Sequence, residues 1–142
     1  MTMARYGELG ASLYVPATHH SLDHILADGC GNARSLILCT EDAVAPANVT
    51  WAVQRLIKAL KEAPPNVGFL RFVRPRNPFV LRQLLDAPEA MAKIDGMVIP
   101  KFDHTSARAW REALQSRPDM AIMPTLETVA LFREDSAIAT LE

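Results

Sequence analysis

Five short apolar runs alternate with helix-patterned segments, and this alternation limits the fold more than any other feature of the chain. The runs are 11–17, 35–40, 68–74, 96–100 and 120–124. Runs such as Leu36-Ile37-Leu38 are apolar at successive positions rather than at every second one. That pattern suits strands buried on both faces, as in a parallel sheet. Strands alternating with helices argue for βαβ units with right-handed crossovers.

The intervening segments carry helical signals. Ser21 is a candidate N-cap for Leu22–Leu26, with Gly29 as a stop. The clearest helix opens at Asn48 and repeats Val49, Ala52, Val53, Leu56, Ile57 and Leu60 on one stripe, until Pro64-Pro65 ends it. A third runs from about Pro78 to Asp86, with Phe79, Leu81, Leu84 and Leu85 as its apolar positions. A fourth spans 105–116, using Ala109, Trp110, Ala113 and Leu114, and a last begins near Thr128 with Val129, Leu131 and Phe132 facing inward. Trp51 and Trp110 are expected in the core.

The 142 residues suit one domain or part of one, and with 49% apolar and 22% charged residues disorder is excluded. A net charge of -1 with interspersed signs excludes a basic nucleic-acid footprint or a polybasic membrane patch. The N-terminal segment lacks the apolar stretch of a signal peptide, and no run reaches the ~20 residues of a membrane span, so a cytoplasmic location is expected. Cys30 and Cys39 match no zinc or redox spacing and are expected as buried free thiols.

Charge recurs at the C-terminal ends of four strands: Glu41 and Asp42, then Arg74 with Arg76 beyond it, then Lys101, then Glu127. One such charge is often a solvated loop residue. In a (β/α) barrel, however, these ends share the face where active sites form. Carboxylates there suit a hard cation such as Mg2+, and an arginine suits a substrate carboxylate. His19 and His20 follow the first strand at the same mouth, where either could contact an anion or act as a base. His24 and His104 lack a metal-site partner at recognisable spacing.

The wording around these positions is more specific. Leu36–Val44 resembles the "LDLEDAV" segment of the citrate lyase beta subunit and the wider HpcH/HpaI aldolase superfamily; Val73-Arg74 with Asn77-Pro78 resembles "VRxN". Asp95–Lys101 resembles "DGIVLPK", Leu126-Glu127-Thr128 resembles "IET", and Ser12–His19 is similar to the opening "SLLFVPG". The Tyr-Val-Pro-Ala-Thr form of that opening resembles a bacterial subgroup, the C–C bond lyases of TIM-barrel fold found near tellurium-resistance genes.

The resemblance implies a partial TIM (β/α)8 barrel, with 1–142 as the N-terminal part of a single barrel. It also implies a Mg2+-dependent carbon–carbon bond lyase acting on a carboxylate or acyl thioester, such as a CoA thioester, through an enolate. Carried over by position, Glu127 is the metal-binding glutamate and Arg74 the substrate-binding arginine. Glu41 and Asp42 form the acidic pair that supports the metal's water shell or the substrate, and Lys101 lines the mouth. Three departures stand out. Cys39 occupies the place of an aspartate. Arg76 beside Asn77 competes with Arg74 as the inward arginine, although strand alternation favours Arg74. The family's second metal carboxylate belongs to a strand beyond Glu142.

Five strands leave a barrel of eight unclosed. The chain is therefore expected to be a truncated enzyme, or a non-catalytic half-barrel that oligomerises or binds a partner through its open edges. An open doubly wound α/β binding domain is a third reading, and would take its ligand at a switch point.

Overall fold

The computed structural model describes residues 6–65 and 67–141. Its five strands are β1 (Ser12–Pro16), β2 (Ser35–Cys39), β3 (Leu70–Arg74), β4 (Gly96–Ile99) and β5 (Ala121–Pro124). Between and after them lie α1 (Leu22–Asp28), α2 (Val49–Glu62), α3 (Pro78–Leu85), the short α4 (Pro88–Met91), α5 (Ala107–Leu114) and α6 (Glu134–Leu141). The sheet is parallel throughout, in the order β1-β2-β3-β4-β5, so each strand pairs with its sequence neighbour as in a barrel wall. Among the described residues no helix is long and apolar enough to cross a membrane.

The two sheet faces bury different residues. Leu36, Leu38, Val73, Met97 and Ile99 pack under the helices with Leu22, Leu26, Leu56, Leu60, Leu81 and Trp110. Ile37, Phe72 and Val98 form a smaller cluster with Met123 on the opposite face, which in a closed barrel is the interior. Gly96 makes the β4–β5 approach feasible, because a Cβ there would sit 2.5 Å from the Ala121 carbonyl oxygen. Gly29 ends α1 with φ 79°, a conformation that suits a residue without a side chain.

Several sequence expectations are corrected. Ser21 and Asn48 stand at helix starts without side-chain cap bonds, whereas Asn77 does cap α3, accepting from Val80 N at 2.9 Å. Trp110 is buried, but Trp51 is 53% exposed, because it lies in the first turn of α2 beside Arg55 rather than over the sheet. Phe79 and Ala109 face solvent, and Val129 and Phe132 are exposed in a 3-10 turn (Val129–Phe132) that precedes α6. Cys39 is buried and Cys30 exposed, both as free thiols.

Two buried charges hold loops in place. Arg71, the second residue of β3, donates from Nη1 to the carbonyls of Pro64 (3.0 Å) and Lys93 (3.4 Å) and from Nη2 to that of Leu26. It thereby ties together the C-terminal ends of α1, α2 and α4. Burial lowers its pKa, and the nearby Asp95 carboxylate partly opposes that.

Asp103, after β4, accepts from the Thr105 hydroxyl (2.6 Å) and from the backbone N–H groups of Thr105 (2.9 Å) and Ser106 (3.1 Å). These bonds, the Thr105 hydroxyl foremost, outweigh burial and hold its carboxyl at about 2, below the ordinary 3.8. Asp103→Ala is expected to cost about 1–2 kcal/mol at neutral pH in urea unfolding. Because the folded-state pKa is depressed, this stabilisation is full above the unfolded value and is lost as pH falls through about 2. Variant and wild type should converge there; a constant difference down to that pH would contradict this role for the carboxylate.

Candidate active site

Parallel pairing brings the strand ends to one edge, and the residues just past them meet there. Cys39 pairs with Arg74 in the β2–β3 register, and Thr40 extends that ladder by donating to the Arg74 carbonyl from its N–H (3.0 Å) and its hydroxyl (3.1 Å). Glu41 is thereby set beside Arg74. The Cys39 thiol, at the place of the expected aspartate, accepts from Glu41 N at 3.4 Å. On the other side, Thr125 N donates to Ile99 O at 2.8 Å, continuing β5 toward Glu127.

Arg74 is the centre of the cluster and is 5% exposed. Its Nε and Nη2 donate to Glu41 Oε2 at 3.2 and 3.0 Å, and Nη2 also reaches Glu127 Oε1 at 2.6 Å. Nη1 donates to Tyr14 Oη at 3.3 Å and to Thr125 Oγ1 at 3.4 Å. A guanidinium has five N–H groups, and here each has a partner. Burial alone would lower the Arg74 pKa, but the bonds to Tyr14 and Glu41 and the charge of Glu127 overcome it and raise the value. Arg74 stays a cation at any pH the protein meets.

Lys101 bridges the acidic pair. Its Nζ donates to Glu41 Oε1 and, at 3.1 Å, to Asp42 Oδ1. Its φ of 49° is uncommon for a residue with a side chain. In that conformation its backbone N–H donates to Glu127 Oε1 at 3.1 Å. Glu41 and Asp42 raise the Lys101 pKa, and Lys101 in turn is the main cause of a lowered Asp42.

The remaining candidates lie at the rim. Arg76 donates to the carbonyls of Glu41 (3.3 Å) and Val44 (3.2 Å) and so braces the loop after β2, while Arg74 holds the centre. His19 accepts from Ser21 N at 3.1 Å and stacks on His20, and among the described residues its ring makes no bond to the charged cluster. Tyr14 and Thr125 are additions that sequence reasoning missed; each sits in or next to an apolar run with no charge to mark it. Two cavities, of about 520 and 470 Å3, lie away from this mouth, one near the N-terminal ends of the strands and one between α5 and β5.

A family model described as "C-C_Bond_Lyase of the TIM-Barrel fold" matches residues 3–142. The chain belongs to that family. Among solved structures, the Haloferax volcanii malate synthase lead(II) complex aligns with TM-score 0.72 at 11% identity, covering 97% of this chain and 45% of that one. The magnesium/glyoxylate complex of the same enzyme aligns with TM-score 0.65 at 12% identity, covering 84% of this chain and 42% of that one. The likeness is one of fold, and this lyase-family chain spans less than half the length of the malate synthase chains it matches. No curated protein matches the sequence.

A divalent metal fits the donor chemistry of the mouth. Among the described residues no group of three or more His, Cys, Asp and Glu side chains is placed to hold an ion unaided. Mg2+, however, takes only one or two carboxylates and fills its other positions with water and substrate oxygens. Glu127 uses Oε1 for both its bonds, which leaves Oε2 without a hydrogen bond among the described residues. Asp42 is solvent-exposed, and its Oδ2 lies 3.9 Å from the same Arg74 Nη2 that Glu127 meets.

The two members of the acidic pair should behave differently on mutation. Glu41→Gln leaves a buried guanidinium short of its counter-charge and should cost about 3–5 kcal/mol. Asp42→Asn, at the surface, should cost less than about 1 kcal/mol. Denaturant unfolding of the two variants measures the contrast, and equal effects would contradict the central position of Glu41.

Proposed function

We propose that this chain carries the substrate-binding part of a Mg2+-dependent carbon–carbon bond lyase acting on a hydroxy acid or its acyl thioester. In such a reaction the hydroxyl proton is lost and its carbon becomes a carbonyl. The bond to the neighbouring carbon breaks, and its electron pair remains on the acyl fragment as an enolate that is then protonated. The observation that carries the reading is Arg74, a buried cation fixed between Glu41 and Glu127 where four strands end. Family membership supports the reaction type.

Each residue has a role in this reading. Arg74 and Lys101 hold positive charge where negative charge develops on the substrate, a term that is large when donors are fixed in advance. Glu41 keeps both cations in place. Glu127 and Asp42 would hold the metal, with the second carboxylate that the resemblance implies added from elsewhere. Bound Mg2+ supplies Lewis-acid charge to the substrate oxygen. That the Haloferax volcanii malate synthase is recorded with magnesium and glyoxylate, a small 2-oxo acid, supports this choice of metal and substrate class.

A second reading rests on the open edges. Leu13 and Tyr14 on β1 and Ile122 on β5 are exposed at the two edge strands of the sheet. Under it, the chain completes its sheet with a second copy or another chain and does no chemistry. Light scattering on the chain, read beside the assay below, separates the two: a defined dimer without lyase activity favours this reading.

In the full-length protein, chelating divalent ions should abolish cleavage of hydroxyacyl thioesters or hydroxy acids, and Mg2+ should restore it. Glu127→Gln should raise the Mg2+ requirement by at least about tenfold. Arg74→Lys, which loses the planar fork, should lower kcat/KM by about 10²–10³. Metal-independent turnover, or no product from a panel of both substrate classes, would sink the lyase reading.

A further inference from the structure

The N–H groups of Arg74 divide into two edges of different character. Nε and Nη2 face carboxylates at 2.6–3.2 Å, as charge-assisted bonds. Nη1 faces two neutral hydroxyls at 3.3 and 3.4 Å, beyond the usual range for an N–H···O bond. An anion approaching Arg74 displaces a weak neutral contact at Nη1 far more readily than a charged one at Nη2. The Nη1 edge is therefore the one an anion can take over at the lower cost.

Its two hydroxyls differ in turn. Thr125 Oγ1 accepts from Arg74 and donates its own proton to Ile99 O at 2.8 Å, so its donor is engaged. Tyr14 Oη also accepts from Arg74, but its own O–H has no acceptor among the described residues. A hydroxyl that accepts from a cation is polarised into a stronger donor. The Arg74 guanidinium lies 5.8 Å from the Tyr14 ring centroid, which helps to fix the ring, and Tyr14 is 45% exposed, so the O–H is reachable.

We propose that Tyr14 is a catalytic residue of this site: its unengaged phenolic O–H, set by Arg74, donates a hydrogen bond to the anionic oxygen that forms on the substrate. The inference rests on the lyase reading and gives it a specific oxyanion donor. The ligand class it selects is a small planar enolate, with one oxygen held between Tyr14 Oη and Arg74 Nη1. No proton changes hands; the O–H bond stays intact and the hydrogen bond strengthens as the oxygen charges.

Oxalate, a stable planar mimic of an enolate, tests this in the full-length protein with Mg2+ present. Calorimetry should show about tenfold weaker oxalate binding for Tyr14→Phe, which keeps the ring and loses only the donor. Wild type should also show a tyrosine difference spectrum on binding, absent from Tyr14→Phe. Unchanged oxalate affinity in the variant overturns the Tyr14 proposal and leaves the lyase reading standing. Failure of wild type to bind oxalate overturns both. The wild-type spectrum needs no variant to fold: binding without any tyrosine perturbation overturns the Tyr14 proposal alone.

Discussion

Parallel strands cannot be joined by a tight turn; each pair needs a crossover of a dozen residues or more, here a helix. Everything else in the molecule follows from that constraint. Because every crossover returns the chain to the same end of the sheet, every strand finishes on the same edge. Glu41, Arg74, Lys101 and Glu127 are far apart in sequence and become neighbours only there. The register does the fine placement. Cys39 opposite Arg74, and two bonds from Thr40 to the Arg74 carbonyl, leave Glu41 level with the guanidinium.

The same strand solves the problem of a buried arginine twice, by different means. Arg71 and Arg74 lie three residues apart on β3, so alternation sends them to opposite faces. Arg71 enters the helix layer, where the available acceptors are the carbonyls that helix ends leave unpaired. Its positive charge also suits the negative ends of those helix dipoles. Arg74 enters the other face, where carboxylates from β2 and β5 meet it. The first arrangement holds loops together with neutral acceptors. The second concentrates charge at an open mouth.

Much of this was legible in the sequence because period and punctuation are local. The five strands, the glycine that stops α1, the Pro78 start of α3 and the stripe of α2 all depend on neighbours within a few residues. What failed was whatever depends on the next layer. Trp51, Phe79, Val129 and Phe132 have helix-like spacing, yet they lie at element starts or in a turn where no partner covers them. Arg71 carries no mark of its role in the sequence, since its three carbonyl acceptors, on Leu26, Pro64 and Lys93, cannot be seen from spacing. Tyr14 and Thr125 were hidden for a related reason: a hydroxyl in a strand carries no sign of function until a guanidinium is found beside it.

The charge balance of the mouth gives the lyase reading an internal order. Among the side chains paired with one another at its centre, Glu41, Asp42 and Glu127 bring three negative charges and Arg74 and Lys101 two positive ones, a remainder of one negative charge, with Arg76 outside this set on the carbonyls of Glu41 and Val44. Left to itself, such a mouth attracts a cation and repels an anionic substrate. A divalent ion at Glu127 and Asp42 would reverse the sign, and only then does an anion gain by entering. Arg74 could not make that difference alone, because its charge is already matched by Glu41 and Glu127. Its remaining contribution is directional: the edge that faces Tyr14 and Thr125 is the part of a fully bonded cation that a substrate oxygen can take over without leaving a buried carboxylate unpaired.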